Sequence, residues 1–365
     1  MSTVCAVVLT YNRKDLLNDC LAALCAQTRG CDRIIVVDNA SRDGTPEMLA
    51  RQWAERVTSY LLPANIGAAG GFTLGMQLGY QTGADYIWVM DDDVIAAPNA
   101  LERLLVAEDV LIERNYAAPF VISSARCPAG LLTNVPEVDR RSNALNYSNW
   151  PDLLEHSMVP VTRATFVSIL LPRTTMLEYG LPIPAMFIWG EDSEYTMRIT
   201  RGHPAYIVGD SRVVHVRQTA GVLDIRTETS PARIAYHAHR IRNDIYIKRR
   251  YENFSEVVRY LRRQAKLAAR LCREQGFAKA AIVLRGVIAG LRFNPQILTA
   301  DAAPDMTGIR IIGPAAQPNA VAPARRPPAD QKIGASLAFS SGHFASLSEM
   351  AVTASGQAMP SAGSS

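Results

Sequence analysis

Asp91, Asp92 and Asp93 stand directly after the apolar run Tyr86-Ile87-Trp88-Val89-Met90. Carboxylates crowded at the end of a buried strand repel one another and lose hydration, a cost that a divalent cation or another partner offsets. A solvated acidic turn is the alternative, and the remainder of the chain favours the cation. In extended backbone, residues two apart project to one side, so Asp91 and Asp93 share a side. Such hard oxygen ligands suit Mg2+ or Mn2+ bridging a diphosphate. His215 is a candidate further ligand whose imidazole would tilt the site toward Mn2+; its other reading is a structural strand histidine. Glu191, Asp192 and Glu194 form a second acidic group beside Trp189. A carboxylate raised by its neighbours can serve as general base on an alcohol, while the same acids also suit a helix N-terminus.

Two further polar stretches have the composition of a nucleotide pocket. Asp38 ends the run Arg33-Ile34-Ile35-Val36-Val37, where it could accept hydrogen bonds from a base or ribose, or close an Asx turn. Asn65-Ile66-Gly67-Ala68-Ala69-Gly70-Gly71 is a small-residue loop that opens a helix. Its amides could approach a phosphate with the helix dipole behind them, or its small residues could answer to tight packing. It is neither a Walker loop nor a GxGxxG fingerprint.

The elements that must position these residues are legible from periodicity. Val4 to Thr10, Arg33 to Asp38, Val57 to Leu62 and residues 85–90 read as strands. Asp15 to Gln27, Pro46 to Arg56 and Gly70 to Gly83 read as the helices between them. This alternation predicts an α/β fold, a Rossmann-like, mostly parallel sheet with helices on both faces. Ligands of such sheets bind beyond the carboxyl ends of the strands, where Thr10-Tyr11-Asn12-Arg13, Asp38, the 65–71 loop and Asp91-Asp92-Asp93 all fall. Leu101 to Arg114 reads as a helix, 118–124 and 164–171 as strands, Phe187 to Tyr195 as the opening of a short helix running to about Arg201, and 205–208 and 212–216 as two strands. The expected organisation is a catalytic domain over 1–230, a basic amphipathic helical region over 231–295, and a low-complexity, disordered tail over 296–365.

Charge is unevenly distributed. The net charge is +4, yet residues 232–293 hold 15 basic and 4 acidic side chains, while 1–231 hold 19 and 26. In 254–272 the residues Phe254, Val257, Val258, Leu261, Ala265, Ala268 and Cys272 form one stripe, opposite Arg259, Arg262, Arg263, Lys266, Arg270 and Arg273. This pattern predicts an amphipathic helix on an anionic membrane surface, or a helix packed on the body with a solvated basic face. No apolar stretch approaches the ~20 residues of a spanning helix. Six cysteines without a C-x-x-C pair fit reduced thiols in a cytoplasmic protein. The N-terminus shows no secretory pattern.

Five stretches occur together and in order: Val7-Val8-Leu9-Thr10-Tyr11-Asn12-Arg13, Val36-Val37-Asp38-Asn39-Ala40-Ser41, Asn65 to Phe72, Asp91-Asp92-Asp93 and Trp189-Gly190-Glu191-Asp192. In this pattern, over about residues 1–250, the chain resembles family 2 glycosyltransferases of the GT-A fold, above all bacterial galactofuranosyltransferases and their rhamnosyltransferase relatives. The resemblance implies an inverting hexosyl transfer from a nucleotide-diphosphate sugar, UDP-galactofuranose first and dTDP-rhamnose second, in cell-surface polysaccharide synthesis. It implies a donor pocket at Thr10, Tyr11, Asn12, Arg13, Asp38, Asn65, Gly70, Asp91 and Asp92. It further implies Mn2+ or Mg2+ on Asp91, Asp93 and His215, catalysis by Asp192 and Glu191 with Asp192 as base, and an acceptor wall at Trp189. The acceptor would be a glycan or a polyprenyl-diphosphate-linked glycan, and the enzyme would sit on the inner face of the plasma membrane. The longer polymerising relatives carry an N-terminal β-domain that this chain lacks, which fits the addition of one or a few sugars.

Two other functions remain in view. A sugar nucleotidyltransferase would want a Gly-rich, basic loop after the first strand, where this chain has Thr-Tyr-Asn-Arg. A binding protein recruited by its basic helices would leave the two acidic groups without a purpose, and nucleic acid is not expected as a partner.

Overall fold

The computed structural model describes residues 2–216 and 223–314. The chain opens with β1 (Val4–Thr10), α1 (Lys14–Cys25), β2 (Arg33–Asp38), the single turn α2 (Thr45–Met48), β3 (Thr58–Leu61), α3 (Gly67–Gln81) and β4 (Tyr86–Asp91). These follow the expected alternation within a few residues, because continuous apolar runs punctuated by polar turns leave little choice of period. The helix expected over 46–56 is α2 continued as a π-helical turn over Leu49–Trp53. Next come β5 (Val94–Ala96), α4 (Ala100–Glu113), β6 (Val121–Arg126), β7 (Glu137–Val138), β8 (Met158–Arg163), β9 (Ile169–Pro172) and α5 (Arg173–Tyr179). The chain continues through α6 (Glu191–Ile199), β10 (Ala205–His215), α7 (Pro231–Tyr251), α8 (Phe254–Arg273), α9 (Phe277–Arg292) and β11 (Arg310–Ile312).

Among the described residues one sheet runs β11-β3-β2-β1-β4-β9-β6-β10-β8-β7, with β5 paired to β10. Strands β3, β2, β1 and β4 are mutually parallel, as expected. Beyond β4 the sheet becomes mixed: β9 is antiparallel to both β4 and β6, and β8 is antiparallel to β10. The sheet is therefore mixed overall, not mostly parallel. A reversal of strand direction leaves no mark on hydrophobic period, so pattern alone does not order the later strands. The two strands expected over 205–208 and 212–216 are one strand, β10, whose register against β6 slips between Val208 and Arg212.

Alternation along each strand splits the core into two layers. Ala6, Val8, Trp88 and Met90 face Leu17, Leu21, Leu101 and Leu104 of α1 and α4. Val7, Leu9, Ile87 and Val89 face Phe72 and Met76 of α3 on the other side. Helix α3 lies unusually close to the sheet. A Cβ on Gly75 would come within 2.5 Å of Val7 Cγ1, and one on Gly71 within 2.3 Å of Leu9 Cδ1. The small residues of this segment thus bring the helix axis against the sheet. Residues 296–314, expected to begin a disordered tail, instead return to the body. β11 pairs antiparallel with β3, and Gln77 Nε2 donates to Ala302 O at 2.6 Å. Residues 315–365, the rest of that expected tail, lie outside the described residues.

Glu108 on α4 is buried, and its Oε1 has no hydrogen-bond partner. Burial, helped by the charge of Asp109 and opposed by a hydrogen bond with Tyr86, pushes its carboxyl from 4.5 up to about 8. The folded chain then keeps a proton that the unfolded chain releases between those two values, so folding loses stability as pH rises through that window. Glu108→Gln should raise the thermal midpoint at pH 8 relative to the parent, with the gap closing toward pH 4.5; scanning calorimetry across that range checks it.

Candidate active site

The acidic triplet turns at the end of β4. Asp91 is the last residue of β4, Asp92 and Asp93 make the turn, and β5 follows at once. β5 pairs antiparallel with the end of β10 in a register that sets His215 opposite Val94, and Val216 N donates to Asp93 O at 2.8 Å. This pairing carries His215 across more than a hundred residues to Asp93. Donor atoms of Asp91, Asp93 and His215 all lie within 4.8 Å of one another. Asp93 Oδ1 is buried without a hydrogen-bond partner and stands 3.1 Å from His215 Nε2.

Asn134 completes this arrangement. Its Oδ1 lies 2.8 Å from His215 Nδ1 and accepts the Thr133 hydroxyl, while its Nδ2 donates to Thr165 Oγ1 at 3.1 Å. An amide oxygen can only accept, so Nδ1 donates to Asn134 and the ring is held with Nε2 directed at Asp93. Two carboxylates and an imidazole nitrogen gathered in this way suit a hard or borderline divalent cation. Asn134 was not singled out from the sequence. It sits at positive φ in an irregular stretch with no periodicity to mark it.

Asp92 faces away from this trio. It accepts the Thr10 hydroxyl at 2.7 Å and Arg13 Nη1 at 3.0 Å, and the same guanidinium nitrogen reaches Asp93 Oδ2 at 2.8 Å. Thr10 and Arg13, expected beside a nucleotide, thus touch the acidic turn itself. The electrostatics divide the three carboxylates. Burial holds Asp91 well above the ordinary carboxylate range, with the charges of Asp93 and Asp92 adding to it. Burial also lifts Asp92 to about 6 against the pull of Arg13 and Thr10. Burial opposes ionisation of Asp93 too, but His215 and Arg13 outweigh it and keep this group below its ordinary value.

The neighbouring loops are closely tied. Asp38 is buried and accepts Ser41 N at 3.0 Å, which makes the turn after β2. Asn12, at φ 53°, accepts Arg42 N at 2.7 Å and donates its own amide to Ser41 Oγ, while Tyr11 is exposed. In the 65–71 loop, Ile66 N goes to Asn39 Oδ1, Gly67 N to Asn65 Oδ1 and Ala69 N to Phe187 O. Those three amides are engaged by protein groups. Gly70 lies against Ile66, where an added Cβ would approach to 2.9 Å.

The second acidic group meets the first. The charge of Asp192 acts on Asp91, and that of Asp91 on Glu191, so residues a hundred positions apart lie within electrostatic reach of one another. Glu191 is buried with Oε2 unpartnered, and burial together with the charge of Asp192 raises it well above its ordinary value. Asp192 is half-buried and accepts Ser193 N at 2.6 Å; burial raises it, against that amide and the nearby Arg163. Glu194 belongs elsewhere: it pairs with Arg198 and accepts the Tyr251 hydroxyl.

Trp189 is half-buried between Tyr236 and His237 of α7, with Arg233 over its ring. The backbone around it is contorted: Phe187, Trp189 and Gly190 have φ of 62°, 60° and 119°. One side chain fixes this turn. Asn243 of α7, fully buried, has its Nδ2 within 2.9 to 3.1 Å of the carbonyls of Met186, Ile188 and Trp189. Asn243 also escaped sequence reading, since a lone asparagine inside a helical stretch gives no periodic signal. Gly190 must be glycine at such a φ, and a Cβ there would approach Asn243 Cβ to 3.2 Å.

A model of the family described as Glycosyl transferase family 2 matches residues 5–107. The galactofuranosyltransferase GlfT1 of Mycobacterium tuberculosis is 33% identical over 219 residues, covering 58% of this chain and 70% of that relative. GlfT1 of Mycolicibacterium smegmatis is 45% identical over 207 residues, covering 54% and 65%. Among solved structures, GalNAc-T7 with UDP, GalNAc and Mn2+ aligns at a TM-score of 0.48 and 16% identity, over 71% of this chain and 54% of that one.

Removing the amide that ties the 186–190 turn should cost about 1–3 kcal/mol, the usual penalty for buried carbonyls left without a donor. Asn243→Ala should therefore lower the urea midpoint, and Gly190→Ala should do the same through backbone strain; equilibrium unfolding of both variants measures it.

Proposed function

This chain belongs to glycosyltransferase family 2, and on that footing we propose that it transfers a galactofuranosyl unit from UDP-galactofuranose to a hydroxyl of a glycan acceptor, inverting the anomeric centre. The sugar is inferred from the two GlfT1 relatives. The observation that carries the chemistry is the grouping of Asp91, Asp93 and His215, whose side-chain donor atoms lie within 4.8 Å of one another, with the charge of Asp192 acting on Asp91.

Asp91, Asp93 and His215 would hold Mn2+ or Mg2+, which when bound neutralises charge on the departing diphosphate. Asn134 would orient His215 for that role, and Arg13 would fix the acidic turn so that Asp93 presents its free oxygen. The uridine would lie along the ends of β1 and β2, beside Asp38 and the Thr10–Arg13 stretch, with Asn65 and Gly70 shaping the floor. Asp192 is the more accessible of the acidic pair, and its raised carboxyl suits it to accept the proton of the acceptor hydroxyl. That oxygen bonds to the anomeric carbon as the bond to the diphosphate oxygen breaks, and nucleoside diphosphate leaves. Buried Glu191 would keep Asp192 in place and maintain its proton affinity. Trp189 would form a wall for the acceptor ring. Among the described residues no helix is long and apolar enough to cross a membrane, so a lipid-linked acceptor would be met at a membrane face.

Hydrolysis and transfer from a panel of nucleotide sugars, with and without chelator, test the reading. Release of UDP from UDP-galactofuranose alone, lost in chelator and restored by Mn2+, is expected. Preference for dTDP-rhamnose, or indifference to chelator, would overturn the sugar or the metal respectively. Asp192→Asn should lower turnover by a factor on the order of a hundred or more while donor binding, measured calorimetrically, is kept. Asn134→Ala should weaken Mn2+ binding roughly 10–100-fold, the usual effect of losing a partner that orients a metal-bound histidine. Asn134→Asp should retain that binding.

A further inference from the structure

Helices α8 and α9 form a hairpin whose two free faces differ in character. The stripe that α8 buries is Val257, Tyr260, Gln264, Ala268 and Leu271, of which Tyr260, Ala268 and Leu271 pack with Ile241 and Ile245 of α7 and Ala280 and Val283 of α9. This corrects the expected stripe: Phe254, Ala265 and Cys272 are exposed, while Tyr260, Gln264 and Leu271 take the inner positions. The apolar side of α8 is therefore spent inside the protein. Its outer side carries cations. Arg259 pairs with Glu256 and Arg270 with Glu274, whereas Arg262, Arg263, Lys266 and Arg273 have neither an ion pair nor a hydrogen bond among the described residues. A shallow groove there is lined by Ser255, Val258, Arg259, Arg262, Arg263 and Lys266.

Helix α9 is oriented against the habit of a helix in water. It presses its glycines inward: a Cβ on Gly286 would lie 2.9 Å from Ala238 O, and one on Gly290 2.8 Å from Ile245 Cβ. Its bulky residues point out. Phe277, Leu284, Ile288 and Leu291 are 66%, 50%, 56% and 49% exposed, and their spacing places them on one stripe. Arg285 and Arg292 follow immediately after two of them and flank that stripe.

We propose that this hairpin docks on an anionic lipid bilayer, with the α9 stripe entering the interface and the α8 cations meeting phosphate headgroups. Charge complementarity selects this occupant. A nucleic acid would satisfy the cations but leave the apolar stripe in water. A second copy of the chain would cover the stripe but oppose two segments that each carry an excess of 11 positive charges over residues 232–293. A bilayer with acidic headgroups answers both faces, and a 16-residue helix interrupted by Arg285 lies on it instead of crossing it. Docking here would bring the site to the lipid-linked acceptor proposed above. Vesicle binding needs no sugar, so the two readings fail separately.

The full chain is co-sedimented with vesicles of phosphatidylcholine alone and of phosphatidylcholine with phosphatidylglycerol in equal parts, at low and high salt. Binding to the acidic vesicles only, weakened by salt, is expected. Arg262→Gln/Arg263→Gln/Lys266→Gln should lower the partition coefficient roughly a hundredfold, at about fivefold per charge. Leu284→Ser/Ile288→Ser should lower it at least about tenfold, with circular dichroism and transfer to a water-soluble acceptor unchanged. Failure of the parent to bind acidic vesicles, or equal binding by the serine variant, would overturn the proposal. So would a serine variant that converts a dimer to a monomer by light scattering without loss of vesicle binding. RNA that competes the protein off the vesicles and binds the serine variant as tightly as the parent would also overturn it.

Discussion

Asp91, Asp92 and Asp93 crowd the end of β4 within electrostatic reach of Glu191 and Asp192; Arg13 hydrogen-bonds to the acidic turn and His215 lies beside it. Mutual repulsion in a partly dry place makes this cluster the most demanding feature of the molecule. Much of the surrounding structure serves to hold it. Thr10 and Arg13 restrain Asp92, the β5–β10 pairing supplies His215, Asn134 fixes the imidazole, and Asn243 fixes the turn that leads into Glu191 and Asp192. The spread of proton affinities follows from these supports. Asp93, beside two basic groups, stays ionised most readily, while Asp91 and Glu191, which have no ion pair among the described residues, are pushed up.

The first four strands and their helices were legible because each is a run of one period ended by a polar turn, and the chemistry-bearing residues sit at those ends. The choice of Asp192 as base came from the family resemblance, whereas the acidic turn and the 191–194 acids, with His215 as a candidate, could be named from residue type and spacing. What brings them together could not. His215 reaches Asp93 through a three-residue strand, and such a short strand has no pattern of its own. Asn134 and Asn243 act through amides on backbone and imidazole atoms, and an asparagine that serves as a clamp looks in sequence like any other. The direction of β9 and the return of β11 to the edge of the sheet likewise depend on long-range pairing. In α8 the period was evident, but its phase was set by the partner helices, which select Tyr260 and Gln264 over Phe254 and Cys272.

Small residues recur where segments must come close. Gly71 and Gly75 bring α3 onto β1, Gly190 allows the turn held by Asn243, and Gly286 and Gly290 bring α9 onto α7. The two helical contacts use one device for different ends. On α3 it lets the start of the helix sit beside the carboxyl end of β1. On α9 it spends the inner face on glycine and leaves leucine, isoleucine and phenylalanine to the outside.

The β5–β10 closure also bears on how the molecule comes into being. A nascent chain that has left the ribosome through β5 already carries the crowded acids of its first half, with Arg13 as local relief but no His215. The Asp91, Asp93 and His215 trio is completed only after about 120 further residues have been synthesised and β10 has been laid against both β6 and β5. Any fragment or hybrid cut between residues 107 and 205 would inherit the acids without their imidazole, so the stretch that carries the family signature is not by itself an exchangeable catalytic cassette.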